Sequence, residues 1–494
     1  MKRVSELIDI DQIKTWNDGE VITIKAGTGA GKSYFIKNIL YAFAKANNKK
    51  ILFLIHRNNC VNQFKKELER DNKTDIIHIK TYQSLEQILL NNNNCALDGY
   101  KYIVSDEFHY FMGDASFNKT TDISLNKILS YTNAIKIFMS ATGDSVKRYL
   151  NGIKKIETKN YELDINYNFI KELSFFYSDE TMNNFARECI ENGDKAIFFI
   201  QSAEKAYKLY SKFKGNCIFN CSKSNNKYYK YVDQKKIDDI LANEKFEENI
   251  LVTTTCMDAG VNIIDKDLCH IVCDVEDIGT LIQCIGRKRI QDSEDSINLY
   301  IKNITNQQLG GRETQLKLKI EKADFLREHT VKEYIERYPR SLDYTYITYD
   351  EVTDDDNCTK KINELMYYKV KIDLFYIQLM LAKGNKSVKF GYCKYIAQMF
   401  GFEKYRLIDE EDKNDELEVY LLNLIGKKLK KEQQQELINK IGLRDGRQRL
   451  QKSVQLLNAY LIKNTKFALN SKVVKETINN KRKNVTYWIV SKVS

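Results

Sequence analysis

Residues 26–33 read Ala26-Gly27-Thr28-Gly29-Ala30-Gly31-Lys32-Ser33, small residues and glycines followed by a cation and a hydroxyl. Such a loop lets backbone N–H groups curl around a phosphate without Cβ clashes. Lys32 would then reach the β- and γ-phosphates of a nucleotide, and the Ser33 hydroxyl would bind Mg²⁺. Ala26 stands where the motif has its first glycine, a tolerable exchange if that residue keeps a negative φ. Cleaving a phosphoanhydride also needs one carboxylate for the metal shell and another to take a proton from water. Tyr102-Ile103-Val104-Ser105-Asp106-Glu107-Phe108-His109 supplies the pair. Asp106 is expected to hold the metal and Glu107 to act as the base.

These groups meet only if the chain folds into strand–loop–helix units. An apolar strand is expected at 21–24, directly before the glycine loop, and an amphipathic helix at 34–46, directly after it. Similar short β-branched or aromatic runs lie at 51–55, 102–104, 135–139, 196–200, 250–253, 270–273 and 297–301. Continuous apolar strands alternating with helical stretches predict parallel sheets covered on both faces. The long interval at 143–190 sets a boundary near residue 160, giving α/β domains at 1–160 and 161–305. After residue 305 helical patterns dominate, at 313–338, 359–383, 416–441 and 447–463. A mainly helical region is therefore expected over 306–494, with Ile362, Leu365, Met366, Ile372, Tyr376 and Leu379 as a core-facing stripe. The single proline, Pro339, and the turn Asp354-Asp355-Asp356 bracket a possible hairpin at 344–352.

Charge is unevenly spread. The 494 residues hold 78 Lys plus Arg against 67 Asp plus Glu, a net charge of +11. Residues 441–494 hold twelve of those cations and two of the acids, so ten of the eleven excess charges fall there. That is the footprint of a region meeting a polyanion. Within it, 471–489 reads as a basic helix followed by a strand bearing Tyr487 and Trp488. It would be either a helix-and-wing nucleic-acid module or a basic cap on the second α/β domain. The eleven cysteines are scattered and lack a disulfide or zinc-knuckle spacing. Cys217/Cys221 and Cys269/Cys273 read as small buried hydrophobes on strands. No apolar run approaches the ~20 residues of a membrane span, and the first residues lack a signal-peptide core. A cytoplasmic protein with reduced thiols is expected.

The order Asp106-Glu107-Phe108-His109, with Phe138-Met139-Ser140-Ala141-Thr142-Gly143 after it, resembles the superfamily 2 helicases and translocases of the DExH kind. Residues 53–63 resemble motif Ia of the restriction-subunit-like members, and 81–85 their next nucleic-acid-contacting motif. Residues 196–202, 253–262 and 283–289 resemble motifs IV, V and VI. The ordered set spans roughly residues 20–295, three-fifths of the chain.

The resemblance implies two tandem RecA-like domains with Mg²⁺ and ATP in the cleft between them. His109, Ser140 and Thr142 would couple the nucleotide site to the second domain. Asp258 and Gly260 would lie near the nucleotide. Arg57, Thr81 and Thr255 would contact the nucleic-acid backbone, which carries no sequence information. Gln283 and Arg287 would reach across towards the γ-phosphate. The family pattern Gln-x-x-Gly-Arg-x-x-Arg puts its last arginine at Ile290, whereas Arg289 comes one residue early. Either the loop is shortened or Arg287 acts alone. No adenine-reading motif precedes the glycine loop, and Trp16 is the candidate stacking partner.

The implied activity is an ATP-dependent nucleic-acid helicase or translocase, with DNA favoured over RNA. The alternative is a nucleic-acid-binding ATPase switch that remodels or anchors a complex without processive unwinding. A small-molecule kinase would leave the later motifs unexplained. Heavy use of Lys, Asn, Ile and Tyr points to an AT-rich genome, that of a low-GC bacterium or its virus.

Overall fold

The computed structural model describes residues 2–493 apart from Arg57, 92–94, 117–120, 258–260, Ser293, 340–346, 353–357, 383–389, 446–448 and 479–480. Its backbone contacts divide the chain into two compact units: 1–173 with 183–405, and 174–182 with 406–494.

The first unit holds two sheets. Strands β1 (Val21–Lys25), β2 (Lys50–Ile55), β3 (Ile77–Thr81), β4 (Tyr100–Asp106), β5 (Ile135–Ser140) and β6 (Thr158–Glu162) form the first, in the order β3-β2-β4-β5-β1-β6. All its pairings are parallel. Side chains alternate between faces along a strand, and here both faces are buried. Ile22, Ile24, Ile51, Phe53, Val104 and Ile137 fill one face, and Val21, Leu52, Leu54, Ile103 and Phe138 fill the other. The apolar runs lack polar alternation for that reason. The boundary expected at residue 160 falls inside β6, because Thr158–Glu162 pairs with β1 and closes this sheet.

The second sheet contains β7 (Ile170–Phe176), β8 (Lys195–Ile200), β9 (Cys217–Asn220), β10 (Ile250–Thr253), β11 (Leu268–Asp274) and β12 (Ile297–Lys302), ordered β7-β12-β11-β8-β10-β9. The two-domain α/β expectation holds. Cys217, Cys221 and Cys273 are buried, as expected of small hydrophobes, while Cys269 is half-buried.

The region after residue 305 departs from a purely helical reading. Helix Asn306–Glu328 ends at His329, and Thr330 opens a second helix, Val331–Arg337, with a capping box to Glu333. Thr348–Val352 pairs antiparallel with Cys358–Ile362, so the helix expected from residue 359 begins at Glu364 instead. Helix Glu364–Leu381 buries Leu365, Met366, Tyr367 and Val370 against the first sheet's second face, together with Ala323. Ile372 and Tyr376 are only half-buried and Leu379 is exposed, so the buried stripe is rotated from the expected one.

In the second unit, helices Ile408–Leu422, Lys431–Ile441 and Val454–Asn464 accompany a two-stranded ribbon, Phe467–Ile478 paired antiparallel with Lys481–Lys492. The helix expected within 471–489 is therefore a strand. Val473, Val474, Thr477 and Ile478 are β-branched, which favours a strand there. Trp488, Val490, Phe467 and Leu469 pack on Leu437, Leu457 and Leu461 to make this unit's core. No described helix is long and apolar enough to cross a membrane.

Candidate nucleotide site between the two sheets

β1 runs straight into the glycine loop. Gly29 and Gly31 have φ of 83° and 85°, a left-handed backbone that a Cβ would strain. Ala26 is not among the residues with positive φ, so its methyl costs nothing there. Val4 N–H donates to Ala30 O at 2.9 Å and braces the loop from the N-terminal segment. The Lys32 ammonium donates to Ala26 O at 2.9 Å and Gly27 O at 3.2 Å, bridging the loop from within. Ser33 follows it, exposed.

β4 delivers the carboxylates. The Tyr82 hydroxyl donates to Asp106 O at 2.8 Å and its ring stacks on Tyr110 at 4.5 Å, fixing the strand's end. Glu107 has a φ of 48°, strained for a non-glycine residue, which turns its side chain out of the strand's alternation. Glu107 Oε2 accepts from Ser140 Oγ at 3.1 Å and lies 3.3 Å from His109 Nδ1. Burial, then the Glu107 charge, pushes the Asp106 carboxyl up to about 7. Burial also pushes Glu107 upward, but the Lys32 charge, the contact with His109 and the Arg287 charge outweigh it and hold Glu107 below the usual carboxylate range. One carboxylate is thus kept firmly ionised beside another whose charge is costly without a cation.

The second sheet presents helix Ile278–Ile285, capped by Asp277 through Thr280 N–H at 2.8 Å. From it Gln283 Nε2 reaches His109 Nε2 at 2.8 Å, while His109 Nδ1 lies 2.9 Å from Ser140 Oγ. With the Gln283 amide donating, His109 carries its proton on Nδ1. The chain then runs Gln283 to His109 to Ser140 to Glu107, from one sheet to the carboxylate of the other. Ser140 Oγ also accepts from Thr142 N–H at 3.0 Å.

The early arginine is explained by backbone geometry. Ile263 N–H donates to Arg287 O, and Arg289 N–H to Ile263 O, both at 2.9 Å. This ladder keeps 287–289 extended, where residues i and i+2 share a face. Arg287 and Arg289 both line the cleft, and Lys288 turns inward. There its Nζ meets Asp295 Oδ1 at 2.7 Å and Asp265 O at 2.5 Å, with both charged side chains essentially inaccessible. Arg287 donates from Nε to Gln283 O at 3.0 Å and from Nη1 to Val261 O at 3.1 Å. Arg289 is held by Asn262 Oδ1 through Nε and Nη2, at 2.8 and 2.5 Å, but its buried Nη1 has no partner. That nitrogen approaches Gly29, where an added Cβ would sit 3.1 Å from it. Burial, then repulsion from Arg287, brings the Arg289 guanidinium down to about 10.

A cavity of about 750 Å³ gathers Thr28, Gly29, Gly31, Lys32, Ser33, Asp106, Glu107, His109, Gln283, Arg287 and Arg289. Asp106 Oδ1 is buried there without a partner, an oxygen aimed at nothing the chain itself supplies. That orphan, the Lys32 ammonium and the glycine loop fit a metal-bound polyphosphate. Thr255, expected on nucleic acid, lines this cavity as well. Thr81 Oγ1 accepts from Ser84 N–H at 3.0 Å and caps a helix. Arg57, Asp258 and Gly260 lie outside the described residues. Trp16 is buried, with Nε1 donating to Tyr161 OH at 3.1 Å, and presents no stacking face. Sequence reasoning missed Asn262, which orients Arg289, and Lys369, which reaches the cavity from the helix Glu364–Leu381.

Two family sequence models match the chain in the order of the two sheets. The restriction-enzyme model (type III restriction enzyme, res subunit) covers residues 2–75, and the helicase conserved C-terminal domain covers 180–290. The two matched stretches, 2–75 and 180–290, are similar to the two halves of a helicase motor. The two models indicate a helicase-type ATPase, an enzyme that hydrolyses ATP. No curated protein matches the chain in sequence. Among solved structures it is similar to the DEAD-box helicase Mss116 bound to single-stranded RNA and UDP-BeF. The two share 15% identity at a TM-score of 0.45, covering 91% of this chain and 83% of that one. Mycobacterium smegmatis Lhr bound to single-stranded DNA and AMP-PNP shares 13% identity at 0.42, over 72% and 58%. S. cerevisiae Dbp5 bound to RNA and ADP-BeF₃ shares 16–18% identity at 0.42, over 58% and 79%.

Proposed function

We propose that this helicase couples ATP hydrolysis in the cleft to movement along a nucleic-acid strand, with DNA favoured over RNA. The observation that carries the reading is the pair of buried unpartnered atoms, Asp106 Oδ1 and Arg289 Nη1, on opposite walls of the cavity that holds the glycine loop. Asp106 and Ser33 are the residues to hold Mg²⁺, which when bound neutralises charge on the phosphate oxygens. Lys32 and the loop N–H groups bind the polyphosphate. Glu107, kept ionised, accepts the proton of the attacking water. Arg289 meets charge developing on the transferred phosphoryl group, and Arg287 holds the loop that aims it. The run Gln283–His109–Ser140–Glu107 makes the base sensitive to the approach of the second domain.

The two α/β domains within 1–305, divided after β6, form the motor, and 306–494 is an accessory region with a basic nucleic-acid-binding end. The preference for DNA rests on the restriction-subunit-like motifs at 53–63 and 81–85 and on the family model matched at 2–75.

The test is steady-state ATP hydrolysis with Mg²⁺, alone and with single-stranded DNA, duplex DNA or single-stranded RNA, beside Lys32→Ala and Glu107→Gln controls. Stimulation by DNA, lost in both variants, is the expected result. Stimulation by RNA alone reverses the substrate preference. Stimulation with no strand separation in a parallel unwinding assay identifies the switch instead of the motor.

A further inference from the structure

At the N-terminal ends of β8 and β11, the end of the second sheet opposite the cleft-facing loops, a group of donors has no role in nucleotide chemistry. Asp194 immediately precedes β8, and Cys269 and His270 open β11. The register slips between Leu268 and His270, so Cys269 is an extra residue opposite Lys195 and Ala196. Such a bulge disturbs the usual alternation of neighbouring side chains. As a result a thiol, an imidazole nitrogen and a carboxylate oxygen lie within 4.8 Å of one another.

His270 is nine-tenths buried, packed edge-on against Phe185 at 5.2 Å and near Tyr300 at 5.8 Å. Its Nδ1 is buried and has no partner. Its Nε2 stands 3.6 Å from Asp194 Oδ2. That is too long for a hydrogen bond, whose heavy atoms lie about 2.7–3.2 Å apart. Two ligands of one tetrahedral ion, at bonds of about 2.0–2.1 Å, are separated by about 3.3 Å, which is much closer to what is seen. Cys269 Sγ donates to Lys195 O at 3.5 Å, a weak thiol hydrogen bond that metal binding would replace. Buried polar groups are normally satisfied, and His270 Nδ1 is not.

We propose that Asp194, Cys269 and His270 form a binding site for a borderline-soft divalent metal ion of the Zn²⁺ class. One sulfur, one nitrogen and one oxygen suit that class and not Mg²⁺ or Ca²⁺, which take oxygen ligands alone. Binding deprotonates the Cys269 thiol and releases that proton to solvent. A water fills the fourth position, on the half-exposed Asp194 side. The role is structural: Lys195, next to Asp194, pairs with Asp265 at 2.8 Å, and Asp265 O accepts from Lys288 between the two cleft arginines.

The full-length protein is stripped with chelator and titrated with Co²⁺ under reducing conditions. Expected are the intense visible bands of a tetrahedral ion and an ultraviolet thiolate-to-Co²⁺ band, both bleached by Zn²⁺. Cys269→Ser should abolish the thiolate band, and His270→Ala should weaken Co²⁺ binding at least about tenfold. Cys95→Ser, which removes an exposed thiol elsewhere, should change neither. Zn²⁺ should also raise the unfolding temperature of the parent protein, as any ligand of the folded state does, and leave that of Asp194→Asn unchanged. Circular dichroism of each apo variant checks folding, and a variant that fails to fold is replaced by Cys269→Ala or His270→Gln. No tetrahedral spectrum in the parent, or the same spectrum in Cys269→Ser, overturns the proposal and leaves only a buried histidine beside a carboxylate.

Discussion

Gly286, in the second sheet's arginine loop, faces Thr28 of the glycine loop so closely that a Cβ on it would lie 2.0 Å from Thr28 Oγ1 and 3.0 Å from Thr28 Cβ. No real contact is that short, so the two walls of the cleft approach this closely only because residue 286 has no side chain.

Gly286→Ala should therefore hold the walls apart and misplace Arg287 and Arg289. The expected effect is a loss of ATPase activity of about a hundredfold, as misplacement by about 1 Å produces in other sites. The unfolding temperature should barely move, because the clash is relieved by separating the walls. The double variant Gly286→Ala with Thr28→Gly removes the opposing atoms and should regain part of the rate. A double variant no faster than Gly286→Ala alone would show that the close approach is unimportant to turnover.

Arg287 and Arg289 should respond differently to truncation. Arg289 has a free Nη1 beside Gly29, so Arg289→Ala should lower kcat by about 10³–10⁵ with nucleotide KM nearly unchanged and stability close to the parent's. Arg287 binds the carbonyls of Gln283 and Val261 inside the loop. Arg287→Ala strands those acceptors and should cost about 1–3 kcal/mol of stability as well as rate. Thermal unfolding alongside single-turnover hydrolysis separates the two. Equal destabilisation by both variants would contradict the division of labour.

Removing the imidazole from the inter-sheet chain gives a third expectation. His109→Ala leaves Glu107 its Ser140 contact and Lys32's charge but cuts Gln283 off from the base. Basal hydrolysis should fall modestly, by less than about tenfold, whereas stimulation by nucleic acid should disappear. The readout is the ratio of stimulated to basal rate. A full stimulation ratio in His109→Ala would mean that coupling runs elsewhere.

How much of this was legible in the sequence depends on the range of the interactions involved. The glycine loop, Asp106-Glu107 and Gln283 to Arg289 are compact runs whose chemistry is local, and their placement follows from the strand each one ends. The spacing of Arg287 and Arg289 was not legible, because it depends on whether 287–289 is helical or extended. That is decided by hydrogen bonds to Ile263, over twenty residues away. Trp16 could be assigned to adenine only until its partner Tyr161, 145 residues on, was known. The first half of the ribbon, expected as a basic helix, is a strand. The signal passed over was Val473, Val474, Thr477 and Ile478, then Val485 to Val490, on either side of the turn-type pair Asn479-Asn480. Lys369 reaches the cavity only because its helix packs on the first sheet, which no local pattern encodes.

The ribbon's charge carries the last expectation. Lys472, Lys475, Arg482 and Lys483 lie on its paired strands, and positive side chains of this kind bind phosphates by displacing condensed counterions. Each phosphate left without its cation should lower the slope of log affinity against log salt by about 0.7 for a single strand and about 0.9 for a duplex. Alanine at Arg482 and Lys483 should weaken binding of every sequence alike, since phosphates carry no base identity, and should flatten the slope by the equivalent of about one to two phosphates. Nucleotide hydrolysis without nucleic acid should be unaffected, because these residues belong to the other compact unit. Fluorescence anisotropy over a salt series on single-stranded and duplex DNA measures the slope directly. A parallel line displaced to weaker affinity would mean that the ribbon's cations are not at the phosphates.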